Sequence, residues 1–154
     1  MDDEGTTAER PLTQAQQDFA RALARAVLFV PRAFDADLGR HVGMSTSEYF
    51  ALMHLSEAAG HRLRMGELAR CTGLSLSATT RVVGLLEREG LVERQRSVLD
   101  GRGQDAVLTP GGRARLEQAR PRQLATMRKR IFDRLDGVDL EQCTAALTRI
   151  SQDG

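Results

Sequence analysis

The segment from Met65 to Leu108 constrains the fold most, because its residue patterns predict a fixed order of short elements. Apolar residues at helical spacing predict two short helices, and Gly73 between them suits a tight turn that needs a positive φ angle. Gly90 predicts the end of the second helix, since glycine readily takes the left-handed conformation found there. Alternating residues then predict two strands around a Gly-rich hairpin. This order is typical of a winged helix-turn-helix, which binds duplex DNA.

The second helix of this unit has a clear start signal. Ser75 is the expected N-cap, with Ser77 as the alternative, because a serine hydroxyl accepts a hydrogen bond from the free N–H groups of a first turn. Apolar residues recur at spacings of three and four and predict a buried face formed by Ala78, Val82, Leu85 and Leu86. Base-edge contacts are expected from the hydroxyl and guanidinium flank, Ser77, Thr79, Thr80 and Arg81. Of these, Arg81 is the expected reader of guanine.

The hairpin after Gly90 predicts a basic wing, with strands over residues 91–96 and 104–108 and a turn at Asp100-Gly101. Arg102 at its tip is expected in the minor groove, where a negative potential attracts arginine, with Asp100 orienting its guanidinium. Phosphate contacts, which position a protein without reading sequence, are expected from Ser75, Arg94, Arg96 and Ser97. For Arg94 and Arg96 the alternative is an exposed strand face without a role in binding.

In these features the chain resembles the MarR family of bacterial transcriptional regulators. The resemblance is carried by the run LARCTGLSLSATTRVVGLLEREGLVER, by Asp100 and Arg102, and by the segment LTPGGRARL that ends at Leu116. It implies a homodimer on a pseudo-palindromic operator, usually a repressor, released by a small aromatic or anionic effector or by thiol oxidation. It also implies an effector pocket between the dimerisation helices and the winged region. Tyr49 is a candidate lining residue or a core ring, and His54 is a second candidate lining residue.

The charge of the chain is concentrated in its middle. The whole sequence carries a formal net charge of +1, but Lys, Arg, Asp and Glu give −4 over residues 1–60, +8 over 61–130 and −3 over 131–154. A basic segment is the expected footprint of a surface that binds phosphates, with acidic elements held away from DNA.

Helices on both sides of the winged region are predicted to form a dimer. Capping boxes at Thr13 and Ser45 predict the starts of two helices, which are expected to end at Gly39 and before Gly60, and a short strand is expected near Leu63.

Thr109 and Pro110 predict a helix that runs to about Leu135, and Asp139 predicts a last short helix. The prolines Pro31 and Pro121 should bend the helices that contain them. The last helix is too short to be stable alone, and it needs another surface to cover its apolar face. That face consists of Leu140, Cys143, Leu147 and Ile150.

The predicted fold class is therefore mainly α with a small β wing. We expect a disordered tail over 1–10, helical dimerisation regions over 11–60 and 109–154, and a winged helix-turn-helix over 61–108, in one intertwined domain. The N- and C-terminal helices should interleave across a twofold axis, with the recognition helices about 34–36 Å apart. The sequence has neither an apolar run for a membrane span nor a signal-peptide pattern, so we expect a cytoplasmic protein without a membrane partner.

Enzymatic and metal-binding interpretations have weaker support. The three histidines accompany no nucleophile motif and no phosphate-binding loop, so the sequence predicts neither catalysis nor a cofactor. His54, Glu57 and His61 could share one side of a helix as metal ligands, but the stop signal at Gly60 precedes His61.

Two other functional alternatives stay open. A thiol-based redox regulator would need a reactive cysteine, and Cys71 and Cys143 form no CxxC pair. Cys71 is expected to be buried, the commonest situation of a free cysteine, and Cys143 to lie in an interface. A winged helix could also dock a protein instead of DNA, but docking surfaces favour aromatic and apolar anchors over hydroxyl groups.

Overall fold

The computed structural model describes residues 10–97 and 103–151. Its regular elements are α1 (Gln14–Val42), α2 (Thr46–Glu57), β1 (Arg62–Arg64), α3 (Met65–Thr72), α4 (Leu76–Arg88), β2 (Val92–Arg96), β3 (Gln104–Leu108), α5 (Pro110–Arg130) and α6 (Leu140–Ser151). Short 3-10 turns follow α2 and α5. This order confirms the predicted, mainly α fold with a small β wing. Within the two described ranges, no helix combines the length and the apolar character that crossing a membrane requires.

The predicted helix starts are confirmed because each depends on local hydrogen bonds. Thr13 and Ser45 each form a capping box, in which the cap side chain and the third helical residue bond to each other's backbone N–H. The Ser75 hydroxyl accepts a hydrogen bond from the Ala78 N–H at 3.2 Å, so Ser75 is the N-cap of α4 rather than Ser77. The Thr109 hydroxyl caps α5 in the same way, with Pro110 in the first turn.

Two predicted helix ends are wrong. Helix α1 continues through Gly39 to Val42 and ends at Gly43, whose N–H bonds back to the last turn of the helix. Helix α5 ends at Arg130 instead of Leu135, although the sequence there carries neither glycine nor proline. Both helices continue through their internal prolines.

The three strands form one antiparallel sheet in the order β1-β3-β2. Strand β3 pairs with β1 through Leu63 opposite Ala106, which confirms the short strand expected near Leu63. It pairs with β2 from Val92 opposite Leu108 to Arg96 opposite Gln104, as the predicted hairpin requires. The hairpin turn itself, including Asp100 and Arg102, lies outside the described residues.

The core forms where α2, α3 and α4 meet the sheet and the first half of α5. Its fully buried side chains include Leu38, Leu52, Leu55, Leu68, Val83, Leu86, Val92 and Leu116. Helix α6 contributes no buried residue to this core. The core therefore fixes the relative positions of α4 and the wing strands, which are the elements that carry the candidate site.

Candidate nucleic-acid interface

The turn between α3 and α4 sets the direction of the candidate recognition helix, α4. Gly73 has a φ angle of 67°, and its N–H bonds to the carbonyl oxygens of Ala69 and Arg70. The following N–H, of Leu74, also bonds to the Ala69 carbonyl, at 3.1 Å. These bonds close α3 tightly and deliver the chain directly to the N-cap at Ser75, as the sequence predicted.

The outer face of α4 presents hydroxyl and guanidinium groups together. Three of the four residues expected to contact bases, Ser77, Thr80 and Arg81, are exposed on this face. The Ser75 and Ser77 hydroxyls lie 3.1 Å apart, and the Thr80 hydroxyl donates to the Leu76 carbonyl. This surface can donate and accept hydrogen bonds at base edges and phosphates.

The expectation that Thr79 contacts a base is wrong. Thr79 is only 2% exposed, and its hydroxyl donates to the Ser75 carbonyl oxygen at 3.0 Å. The buried face of α4 consists of Thr79, Val82, Val83 and Leu86. It is rotated from the predicted face because threonine, although polar, buries its methyl group and satisfies its hydroxyl one turn back in the helix.

Arg94 does not have the position expected of a phosphate contact. Its Nη2 atom donates to the Thr80 carbonyl oxygen at 2.9 Å, and its Nε atom lies 3.4 Å from a carboxylate oxygen of Glu87. Only 24% of the side chain is exposed. The guanidinium is therefore engaged with α4, and the phosphate contact expected from Arg94 is replaced by a link between β2 and α4.

The two other phosphate contacts expected at the end of β2 differ from each other. Ser97 is buried, and its hydroxyl accepts a hydrogen bond from Arg64 Nε at 3.3 Å, so the contact expected from Ser97 is also wrong. Arg96 is exposed on β2 opposite Gln104, and it remains a candidate contact. The sequence could not reveal the burial of Ser97, because Arg64 lies 33 residues away in the chain.

A groove beside the wing contains candidate contacts that the sequence analysis missed. Arg64 and Arg70, together with the first turn of α3, Leu76 and the start of β3, line an open groove of about 630 Å³. Leu76 is exposed at the first position of α4, where an apolar side chain suits the methyl group of thymine. The Arg64 guanidinium is already engaged with Ser97 and its Nη2 is shielded from solvent, so Arg70 is the basic contact added here, and no local pattern in the sequence points to it.

A second groove, of about 780 Å³, separates α4 from the junction of α1 and α2. Asp35 and Ser47 line one side of it, and Arg81 and Arg88 line the other. Tyr49 does not contribute to this groove. It is a core ring that packs edge to face against Phe50, with ring centroids 5.8 Å apart, and burial raises the pKa of its hydroxyl.

The two histidines expected as candidates for the effector pocket or a metal site, His54 and His61, lie in different surroundings. His54 is half-buried near the end of α2 and contributes nothing to the second groove. His61 lies in the 3-10 turn beyond α2, where its Nδ1 contacts the Ser56 carbonyl and its Nε2 contacts Arg113. Across residues 10–97 and 103–151, no three His, Cys, Asp or Glu side chains are grouped as a metal site would require.

Both cysteines are exposed in this structure. The expected burial of Cys71 is therefore wrong: it lies on the outer side of α3, whereas Leu68 and Ala69 form the buried side. Cys143 lies on the apolar face of α6, which is exposed along its length.

Comparisons with known proteins find related sequences for the central part of the chain. A sequence model of the MarR family matches residues 42–103. The transcriptional repressor YetL of Bacillus subtilis is 37% identical over 79 residues, which are 51% of this chain and 47% of that protein. The matched region thus spans about half the length of this curated relative.

Similarity to solved structures extends over nearly the whole chain. The chain superposes on Sco3205 from Streptomyces coelicolor, a MarR family transcriptional regulator in complex with DNA, with a TM-score of 0.81. That match has 32% identity and covers 91% of this chain and 90% of the other. AbsC, a MarR family regulator from the same organism, gives a TM-score of 0.83 at 30% identity, with 94% and 97% covered.

Proposed function

The chain belongs to the MarR family of transcriptional regulators, and we propose that it is a homodimer that binds a pseudo-palindromic operator in duplex DNA and represses transcription. The observation that carries this proposal is the outer face of α4. Ser77, Thr80 and Arg81 are exposed there side by side, on a helix whose N-cap and core face fix its orientation. Sco3205, a structure with the same fold, is in complex with DNA, which supports DNA binding by this chain.

Base reading is assigned to Ser77, Thr80 and Arg81, with Arg81 as the guanine reader. Phosphate contacts are assigned to Ser75 and Arg96, and to Arg70 beside the wing. Asp100 and Arg102 keep their proposed roles at the wing tip, where Arg102 enters the minor groove and Asp100 orients it.

The homodimer is supported by apolar surface that the single chain leaves exposed. Helix α6 has no buried residue, and its Leu147 and Ile150 are 50% and 58% exposed. These residues face Leu23 and Val27 of α1 across an open apolar groove. A monomer rarely leaves contiguous apolar surface uncovered, so a second copy that interleaves its α1 and α6 is the proposed cover.

We assign the effector site to the groove between α4 and the junction of α1 and α2, as part of this proposal. Arg81 and Arg88 line the groove and suit an aromatic carboxylate. Because Arg81 is also the proposed guanine reader, an anion bound there would compete with DNA for the same guanidinium. Benzoate is a suitable first probe: it should release operator from the wild type, and Arg88→Ala should need a higher concentration for release.

The proposed function is tested by selecting bound genomic fragments with the purified protein and footprinting the selected DNA. The proposal expects one or a few enriched sites with twofold pseudo-symmetry, each protected over two successive major grooves. Retention of fragments without any common sequence, or protection of a single half-site, would contradict it. Sedimentation of the free protein at micromolar concentration should give the mass of two chains.

A further inference from the structure

Arg94 lies at the centre of β2, yet its side chain ends on the recognition helix. The guanidinium reaches the Thr80 carbonyl oxygen with Nη2 at 2.9 Å and the Glu87 carboxylate with Nε at 3.4 Å. Thr80 and Glu87 are two turns apart on α4, so the two contacts attach the strand to the helix at separated points. The Nε atom is shielded from solvent and makes no hydrogen bond, so its contact with Glu87 is an ion pair only.

Gly84 explains how the side chain reaches both points. A β-carbon at position 84 would lie 3.3 Å from Arg94 Nη2, closer than an ordinary contact. Glycine is an unfavourable residue inside a helix, because it gains the most backbone freedom on unfolding. Its position in the middle of α4 is accounted for by the arginine that crosses over it.

The Glu87 carboxylate adds an electrostatic reason for the contact. Glu87 is 44% exposed on the helix that we propose enters the major groove, where an uncompensated carboxylate would repel phosphates. Arg94 supplies the opposite charge beside it. An arginine fork can address a carbonyl and a carboxylate together, whereas the compact ammonium group of lysine does not have this geometry.

We propose that Arg94 is a positioning residue that clamps the first wing strand to the recognition helix, bridging Thr80 and Glu87 over Gly84. The clamp sets the angle between α4 and the wing, and so the geometry with which the two elements reach neighbouring grooves. This inference rests on the proposed function as a DNA-binding protein. It assigns to Arg94 a role distinct from the direct phosphate contacts.

The test compares Arg94→Lys with Arg62→Lys in the full-length protein. Arg62 is an arginine of the same sheet that contacts Gln95 and makes no described contact with α4, so its replacement controls for the loss of a guanidinium. Two quantities are measured: affinity for a selected genomic fragment across a salt titration, and hydrogen exchange of the amides of β2. Both substitutions conserve charge, so the number of phosphates neutralised stays the same.

For Arg94→Lys the proposal expects about a tenfold loss of affinity at every salt concentration, an unchanged salt slope, and faster exchange in β2. Arg62→Lys should stay within about twofold of wild type in affinity. A lysine binds phosphate well, so wild-type affinity in Arg94→Lys would overturn the clamp and restore a phosphate contact. Equal losses in both variants would also overturn it. If the wild type selects no DNA, the proposed function fails, while the exchange of β2 still decides whether the clamp exists.

Gly84→Ala provides a second test that does not alter Arg94 itself. Alanine favours the helix, so thermal stability should be kept or raised, while the new β-carbon forces Arg94 Nη2 to shift by a few tenths of an ångström, which should loosen the clamp, speed exchange in β2 and lower affinity slightly. Gly39→Ala is the matched control, because Gly39 is inside α1 and a β-carbon there would meet nothing within 4 Å. Unchanged affinity and unchanged exchange of β2 in Gly84→Ala would contradict the proposal.

Discussion

The backbone of Gly112 lies so close to Leu91 that a β-carbon on Gly112 would be 2.1 Å from the Leu91 carbonyl oxygen. The same β-carbon would be 2.7 Å from the Leu108 side chain. Leu91 precedes β2 and Leu108 ends β3, so the first turn of α5 is packed directly onto the base of the wing. In a sequence a glycine at this position weakens a helix start, whereas in the fold it permits a close approach between α5 and the base of the wing.

Gly112→Ala should therefore destabilise the protein. Because the obstructing atom belongs to the backbone, it cannot move aside cheaply, and we expect a loss of about 1–3 kcal/mol in the free energy of unfolding. Gly111→Ala is the control, since its β-carbon would make only ordinary contacts at 3.5 Å. Urea denaturation should show the loss in Gly112→Ala and none in Gly111→Ala. Equal stability of the two variants would mean that α5 does not approach the sheet this closely.

Thr79→Val should separate stability from DNA recognition. Valine keeps the shape of the buried side chain but loses the hydroxyl that donates to the Ser75 carbonyl, at a cost of about 1 kcal/mol. That carbonyl stays bonded to the Thr79 N–H, so no acceptor is left unsatisfied. Chemical denaturation should show the small loss, and base-by-base substitution of a selected site should show an unchanged preference. A changed preference at one base pair would indicate that Thr79 reads DNA after all.

Leu147→Asp should disrupt the dimer. If a second copy covers α6, the aspartate places an unpaired charge in that interface, and the dimer dissociation constant should rise by about 100-fold or more. Arg149→Gln, on the same helix but away from its apolar face, should leave association unchanged. Sedimentation equilibrium over a range of concentrations measures both. Unchanged association of Leu147→Asp would exclude α6 from the interface.

The Asp37 carboxylate should give a small, pH-dependent contribution to stability. Burial by itself would raise its pKa, but Arg130 of α5 and Arg40 of α1 outweigh burial and hold the pKa below its ordinary value of 3.8. Since the folded pKa is the lower one, the contribution is present above the unfolded pKa and is lost as the pH falls through the folded pKa. Asp37→Asn should thus be less stable than wild type at pH 6, with the difference shrinking towards pH 3. A difference independent of pH would contradict this origin.

Local hydrogen bonding explains what the sequence predicted well. The caps at Thr13, Ser45, Ser75 and Thr109 each use atoms within three residues, and the pairing of β2 with β3 follows from one hairpin. Two of the errors concern side chains whose partners lie in another element of the fold. Arg94 is directed to α4 by Thr80 and Glu87, and Ser97 is covered and bonded by Arg64.

Two other predictions fail because a residue departs from the commonest behaviour of its type. A polar side chain favours the surface, but the position of Thr79 between the buried turns of α4 makes it part of the core. Glycine at position 39 predicts a helix end, but the left-handed cap forms four residues later at Gly43, after Val42 has packed against the core. In both cases tertiary packing overrode a local preference.

Sequence reading by α4 is tested most directly by the ratio of the affinities for a selected genomic site and for a scrambled duplex. This ratio is measured for wild type and for Arg81→Ala at the same salt concentration. We expect a large ratio for the wild type and a decrease of about tenfold or more in Arg81→Ala, with affinity for the scrambled duplex falling much less. A wild-type protein that binds both duplexes equally at low salt, in the absence of any effector, would contradict the central claim that α4 reads DNA sequence.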